Sequence, residues 1–187
     1  MRLFAAVLPP PRAVDELRGA VGALPADGRL RWTGEAGWHF TLAFMGEVED
    51  RVLPDLRERL RRAAAHTEPF GLRLHGCGHF GDRALWAGAA GELDSLRMLA
   101  ERADAAARRA GVPMEQHRRY TPHLTLARCR EAVDLRPYLE ALGPFEGSRW
   151  QVGELSLVRS NLPVSGVPGE RPRYEVVGAW PLGGGGA

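Results

Sequence analysis

The sequence contains the pattern His-x-Thr-Leu-Ala twice, at residues 39–43 and 123–127, eighty-four positions apart. Each copy lies in a run of strand-forming residues in its own half of the chain. In an extended strand the histidine and the threonine point to one face, and the residue between them points to the other. The repeat therefore predicts two similar halves, each contributing a strand that presents an imidazole beside a hydroxyl.

Helix and strand patterns alternate along the chain. Apolar spacings of three and four predict helices over 11–24, 53–66, 93–107 and 134–142. Extended segments are predicted over 1–8, 29–32, 38–44, 70–74, 84–89, 123–129, 150–159 and 174–180, with a glycine-rich turn around Gly76, Gly78 and Gly81. We expect an α+β fold in which two pseudo-symmetric lobes of antiparallel sheet, backed by helices, face each other across a central cleft.

This organisation makes residues 1–187 one two-lobed domain, with the motif segments 39–42 and 123–126 in opposite lobes. The glycine-rich segment 183–187 is expected to be a frayed tail. Residues 161–172, with three prolines and two glycines, are expected to form a long loop, either a lid over the cleft or a simple connection.

Composition narrows the class of protein. With 187 residues, 44% of them hydrophobic and 26% charged, the chain can bury a core without metals or cross-links, and disordered, collagenous and disulfide-based scaffolds are excluded. All 25 basic residues are arginines, whose planar guanidinium suits phosphate, although a GC-rich genome also explains them. Cys77 and Cys129 are predicted to be free thiols, and the absence of a signal-like or membrane-spanning segment predicts a soluble cytoplasmic protein. A monomer is expected.

Two histidines facing each other across a cleft can carry out proton transfer in both directions. An imidazole gives or takes a proton near neutral pH, so one can act as base while the other acts as acid. This division suits cleavage of a phosphodiester, in which threonine hydroxyls can donate to the non-bridging oxygens. The scheme requires no metal and no other cofactor. A single copy of the motif would instead indicate a surface strand.

At these residues the sequence resembles the 2H phosphoesterase superfamily, and within it the RNA 2′,3′-cyclic phosphodiesterases, also called 2′-5′ RNA ligases. The resemblance covers nearly the whole chain, including segments 2–6, 42–46, 84–88, 120–122 and 157–160. It implies hydrolysis of a terminal 2′,3′-cyclic phosphate on RNA to a 2′-phosphomonoester, with possible reversal to a 2′-5′ linkage. It also implies that His39 is the proton donor, His123 the proton acceptor, and Thr41 and Thr125 the phosphate holders.

Four further residues are candidates for substrate binding, each with an alternative role. Phe44 could stack on a base or lie in the core. Arg128 is three positions after Thr125, on the opposite face by strict alternation unless a bulge redirects it, although the resemblance places a basic group near the phosphate. Arg119 and Tyr120, together with Arg118, could hold an RNA backbone or form a solvated loop.

The expected partners are RNA ends or tRNA fragments that carry a 2′,3′-cyclic phosphate, and also small cyclic nucleotides. Two other functions stay open at this point. One is a module that binds a nucleotide or 2′-5′ oligonucleotide without turnover, against which the intact histidine pair argues. The other is a metallohydrolase that combines His39 and His123 with His75, Cys77 and His79, although this cluster has few ligands for zinc.

Overall fold

A computed structural model describes residues 1–116, 119–162 and 172–184 of the chain. Four α-helices, two single-turn 3₁₀ helices (Glu35–Gly37 and Asp50–Val52) and nine strands lie in these residues. In chain order they are β1 (Arg2–Val7), α1 (Pro11–Gly22), β2 (Leu30–Trp32), β3 (Phe40–Glu47), α2 (Leu53–Ala65), β4 (Phe70–Phe80), β5 (Ala84–Gly91), α3 (Leu93–Arg109), β6 (Leu124–Cys129), α4 (Arg136–Leu142), β7 (Trp150–Val152), β8 (Glu154–Asn161) and β9 (Arg173–Pro181).

The strands form two antiparallel sheets. The first has the order β3-β1-β8-β9 and the second the order β2-β6-β5-β4-β7. Each sheet contains one copy of the motif, on β3 in the first sheet and on β6 in the second. The predicted α+β fold with two antiparallel sheets is confirmed.

Amphipathic helices cover one side of each sheet. Helices α2 and α3 pack on the first sheet through β3, β8 and β9, while α1 and α4 contact β4 of the second. The apolar faces of these helices, including Leu17, Leu56, Leu60 and Leu99, are fully buried. They belong to one hydrophobic core that joins the two sheets, so the sheets hold a fixed relation to each other.

Strand β1 shows how the sheet separates the core from the functional face. Leu3, Ala5 and Val7 belong to the main core, whereas Phe4 and Ala6 pack with Val158 in a second, smaller cluster on the other face. This division follows from the period-two alternation of side chains along a strand. The smaller cluster lies beside His39, because the Phe4 ring stacks on the His39 imidazole.

The structure corrects two predicted boundaries. Residues 150–159 are not one strand, because Gly153 separates β7, which pairs with β4, from β8, which pairs with β1 and β9. The glycine-rich region is not one broad turn either: β4 continues to Phe80, and the turn follows at Gly81 with φ +55°. Gly76, with φ +64°, lies at an irregularity within β4 that only glycine accommodates easily.

Three other expectations concern termini, loops and thiols. Gly183 donates its amide to the carbonyl of Ala64 at 3.1 Å, while the tail residues 185–187 lie outside the described residues. The same holds for residues 163–171 of the predicted lid or connection. Cys77 and Cys129 are free thiols, as predicted. None of the helices within the described ranges is long and apolar enough to span a membrane.

Candidate active site

The same β-bulge interrupts both copies of the motif. On β3, Thr41 pairs with Ala6 and Ala43 with Ala5, which leaves Leu42 as an extra residue. On β6, Thr125 pairs with Trp86 and Ala127 with Leu85, which leaves Leu126 as an extra residue. The extra residue resets the alternation, so the residue three positions after each threonine returns to the threonine's face.

The repeated bulge decides the position of Phe44 and Arg128. Both side chains are exposed, Phe44 to 50%, whereas the leucine and alanine that precede them are buried. The alternative that Phe44 belongs to the core is therefore wrong. The bulge that could redirect Arg128 is present, and the two residues occupy equivalent positions in the two halves.

One cavity of about 350 Å³ collects the motif residues from both sheets. We call it the central cavity. Its lining comprises Thr33, Gly37, His39, Thr41, Leu42, Phe44, Tyr120, His123, Thr125, Arg128 and Tyr174. Both histidines and both threonines thus face one space of a size suited to a nucleotide-sized group.

Aromatic rings enclose the imidazole of His39. Phe4 stacks on it with ring centroids 4.5 Å apart, and the Tyr174 ring contacts it edge to face at 5.4 Å. Burial among these rings, and secondarily the charge of His123, lowers the pKa of His39 to about 4. The His39 ring is consequently neutral at pH 7.

The imidazole of His123 is oriented by the backbone. Its Nδ1 lies 2.7 Å from the carbonyl oxygen of Thr121. A carbonyl oxygen can only accept, so Nδ1 carries a hydrogen and donates it, which leaves Nε2 for proton exchange in the cavity. Phe80 packs edge to face on this ring at 4.8 Å and Trp86 lies at 6.1 Å.

The other two predicted substrate-binding residues lie toward the edge of the site. Tyr120 lines the central cavity and also a second cavity of about 540 Å³, which contains Arg119. Arg119 itself does not line the central cavity, and Arg118 lies outside the described residues. The Tyr120 hydroxyl is buried and has no hydrogen-bond partner among the residues that the structure describes, and this burial raises its pKa.

Several residues of the site were not singled out individually from the sequence. Tyr174 and Thr33 come from β9 and from the residue after β2, far from either motif in the chain. Phe4 and Trp86 lie within segments 2–6 and 84–88, which carry part of the family resemblance, and that resemblance is the signal in the sequence that points to them. Each sits on the strand adjacent to a motif and contacts that motif's histidine.

Gly78 provides the space in which Trp86 lies, and this gives a testable prediction. The two residues are opposite each other on β4 and β5, and a Cβ on Gly78 would lie 2.3 Å from the indole. Gly78→Val should displace Trp86 and the wall of His123. On the RNA 2′,3′-cyclic phosphate that the family resemblance implies as substrate, we expect roughly 10- to 100-fold lower kcat, because small misplacements of reacting groups have effects of this size.

A matched variant distinguishes this effect from general damage to β4. A Cβ on Gly147, which faces β4 near Leu74, meets its nearest atoms only at 3.4 Å. Gly147→Ala should therefore leave kcat unchanged, and far-ultraviolet circular dichroism should show that both variants are folded. An unaltered kcat in folded Gly78→Val would contradict the inference that Trp86 helps to position His123.

The metal-site hypothesis finds little geometric support. Across 1–116, 119–162 and 172–184, no group of three or more His, Cys, Asp or Glu side chains is close enough to hold a metal ion. His75, Cys77 and His79 lie on β4, where the Cys77 thiol donates to the carbonyl of Leu139 at 3.4 Å. His79 Nδ1 instead lies 2.6 Å from the carbonyl of Gly81.

The chain matches known proteins in sequence. Residues 8–162 match the family model described as the 2′-5′ RNA ligase superfamily. A Thermus thermophilus protein named RNA 2′,3′-cyclic phosphodiesterase is 31% identical over 205 residues, which cover 98% of this chain and 91% of its own. A Geobacillus stearothermophilus protein of the same name is also 31% identical, over 81% of this chain, but the chain spans only about half (47%) of its length.

Solved structures show the same relationship in three dimensions. A crystal structure from Thermus thermophilus is 31% identical and superposes with a TM-score of 0.78, covering 98% of this chain and 99% of its own. Escherichia coli LigT in complex with 3′-AMP is 27% identical with a TM-score of 0.79, covering 97% of each chain. The Thermus and Geobacillus relatives both carry the name RNA 2′,3′-cyclic phosphodiesterase.

Proposed function

The chain belongs to the 2′-5′ RNA ligase superfamily of 2H phosphoesterases, and from this premise we propose that it hydrolyses 2′,3′-cyclic phosphodiester ends of RNA to 2′-phosphomonoesters. The observation that carries the proposal is the convergence of His39, Thr41, His123 and Thr125 on one cavity. The names of the relatives support the choice of a cyclic phosphate as the substrate.

In the proposed reaction water attacks the phosphorus while Nε2 of His123 accepts its proton. The bond from phosphorus to the 3′-oxygen breaks, and His39 donates a proton to that oxygen. The phosphate stays on the 2′-oxygen. If an RNA 5′-hydroxyl replaces water as the nucleophile, the same donor and acceptor give a 2′-5′ linkage.

His39 must take up a proton from solvent when the substrate binds. Because burial lowers the pKa of His39 to about 4, the ring is neutral at pH 7. A cyclic phosphodiester carries one negative charge, which favours the protonated imidazole beside it and raises the pKa of His39. Substrate binding thus places the proton where the leaving oxygen needs it.

The remaining polar groups hold the phosphate. Thr41 and Thr125 lie on the same face as the histidines and can donate to the two non-bridging oxygens, where charge accumulates. Arg128 adds a guanidinium at the cavity wall. On the opposite side Phe44, with the Arg2 guanidinium 4.8 Å above its ring, offers a surface on which a base can stack.

The decisive experiment uses an RNA oligonucleotide that ends in a 2′,3′-cyclic phosphate. We expect the protein to open the ring and leave the phosphate on the 2′-oxygen, which is detected by resistance of the product to a 3′-phosphatase and by phosphorus NMR. A product that carries a 3′-phosphate would contradict the assignment of His39 as donor to the 3′-oxygen.

The same assay separates the alternatives. Binding of the RNA without conversion would favour the non-catalytic module, whereas loss of activity in excess chelator would favour the metallohydrolase. The expected result is turnover that is insensitive to chelator. Cytoplasmic location, a monomeric state and tRNA fragments as natural substrates stay predictions.

A further inference from the structure

A large groove lies between α2 and α3, outside the central cavity. Its volume is about 610 Å³, compared with about 350 Å³ for the central cavity. We call it the arginine groove, because its polar lining consists of Arg59, Arg62, His66, Glu101, Arg102 and Arg109. The groove is thus lined by four guanidiniums and by one carboxylate, that of Glu101.

Arg102 is held in the groove by uncharged acceptors. Its Nη1 donates to the carbonyl of His66 at 2.7 Å and to the hydroxyl of Thr67 at 2.8 Å. Thr67 is buried, so this anchor is fixed rather than solvated. The C-terminus of α2 adds only about half a negative charge. These contacts therefore position the guanidinium and leave most of its charge for an anion.

Within α2, carboxylates contact Arg59 and Arg62 at Nε. Asp55 contacts Nε of Arg59 at 2.8 Å, and Glu58 contacts Nε of Arg62 at 3.1 Å. A guanidinium carries further donors on its two Nη atoms, which suit phosphate oxygens. Exposed ion pairs of this kind are weak, so an incoming phosphate displaces them at little cost.

The groove connects with the central cavity through shared walls. The central cavity and the second cavity share Leu42 and Tyr120, and the second cavity and the arginine groove share Glu101. The second cavity also contains Arg97 and Arg119, together with Asp104, whose carboxylate is paired with Arg108. From Arg97 to Arg109 the path follows α3 for about 18 Å, at 1.5 Å for each residue.

We propose that the arginine groove binds the phosphate backbone of single-stranded RNA on the 5′ side of the cyclic phosphate. This inference rests on the proposed function, because the RNA end in the central cavity defines the start of the path. It implies that the body of the RNA contributes to recognition. A mononucleotide fills only the central cavity, whereas a longer strand reaches α2 and α3.

The test combines Arg59→Gln, Arg62→Gln and Arg109→Gln in one variant. Its kcat/KM should be unchanged on 2′,3′-cyclic AMP and lowered on a roughly 12-nucleotide RNA with a cyclic phosphate end. Each lost phosphate contact to a single strand removes about 0.7 from the slope of log affinity against log salt. Wild type should therefore lose roughly 15- to 20-fold more kcat/KM than the variant between 50 and 200 mM salt.

The matched control combines Arg51→Gln, Arg61→Gln and Arg136→Gln, which removes the same charge at positions that line none of the three cavities. It should behave as wild type on both substrates. Equal losses in the two triple variants, an equal loss on both substrates, or no change in salt dependence would overturn the groove assignment.

A second readout separates this inference from the proposed function. Fluorescence polarisation with the same RNA lacking its terminal phosphate measures binding without chemistry. If wild type turns over neither substrate, the proposed function fails, but the groove is supported when its variant binds this RNA more weakly than the control variant does. Equal binding by the two variants rejects the groove.

Discussion

His123→Ala and His39→Ala should each lower kcat on RNA 2′,3′-cyclic phosphate by roughly 10²- to 10⁴-fold without unfolding the protein. Each substitution removes one of the two proton transfers, and the remaining imidazole cannot serve as donor and acceptor at once. The double variant should be little worse than either single variant, because groups that act as a unit are not additive. Single-turnover kinetics on a labelled RNA measures the effect.

His75→Ala is the matched control for both variants. This histidine is exposed on β4 and lies in the cluster on which the metallohydrolase hypothesis depends. We expect wild-type kcat from this variant. Activity that falls in His75→Ala as far as in His123→Ala would support a metal site, and wild-type activity in either motif variant would end the two-histidine mechanism.

The motif residues were predictable because their chemistry and their geometry are both local. His39 and Thr41 share a face in any extended strand, and the second copy implies a second strand of the same kind. The repeat predicts two similar lobes, and the composition is that of one domain, so the two copies were expected to face each other across a cleft. Their enclosure by one cavity is the finding that sequence reasoning anticipated most directly.

The residues after each threonine were harder, because a bulge is a property of two strands. The sequences Thr-Leu-Ala-Phe and Thr-Leu-Ala-Arg contain no glycine or proline to mark an extra residue. The insertion is visible only in the register with β1 and β5. Strict alternation therefore misplaced Arg128, and the frequency of buried phenylalanine favoured the wrong side for Phe44.

Long-range contributions could not be read from any local pattern. The Tyr174 ring contacts the His39 imidazole from β9, the edge strand that pairs with β8 in the first sheet. Gly153 likewise divides one apolar run into two strands of different sheets. The sequence pattern does not show this division, because both halves have the same alternation. Pairing partners, rather than propensities, decide both outcomes.

The second large effect concerns stability at acid pH. In the unfolded chain His39 titrates near its ordinary pKa of 6.5, whereas burial lowers the pKa in the folded protein to about 4. Between these values the unfolded state binds the proton that the folded state refuses, so folding stability falls as the pH decreases from about 6.5 to 4. At 1.36 kcal/mol for each pKa unit, the total loss approaches about 3 kcal/mol.

His39→Gln should remove this component, so its free energy of unfolding should depend less on pH than that of wild type. Urea unfolding at pH 7 and pH 4.5 measures the difference. Asp27 and Glu58, whose pKa values are lowered to about 2 by hydrogen bonds from Arg29 and Arg61, titrate in both proteins, so their effect cancels in the comparison. His75→Gln should retain the wild-type dependence. If the free energies of unfolding of wild type and His39→Gln change equally with pH, the imidazole is solvated. Proton uptake by His39 on substrate binding would then not be required.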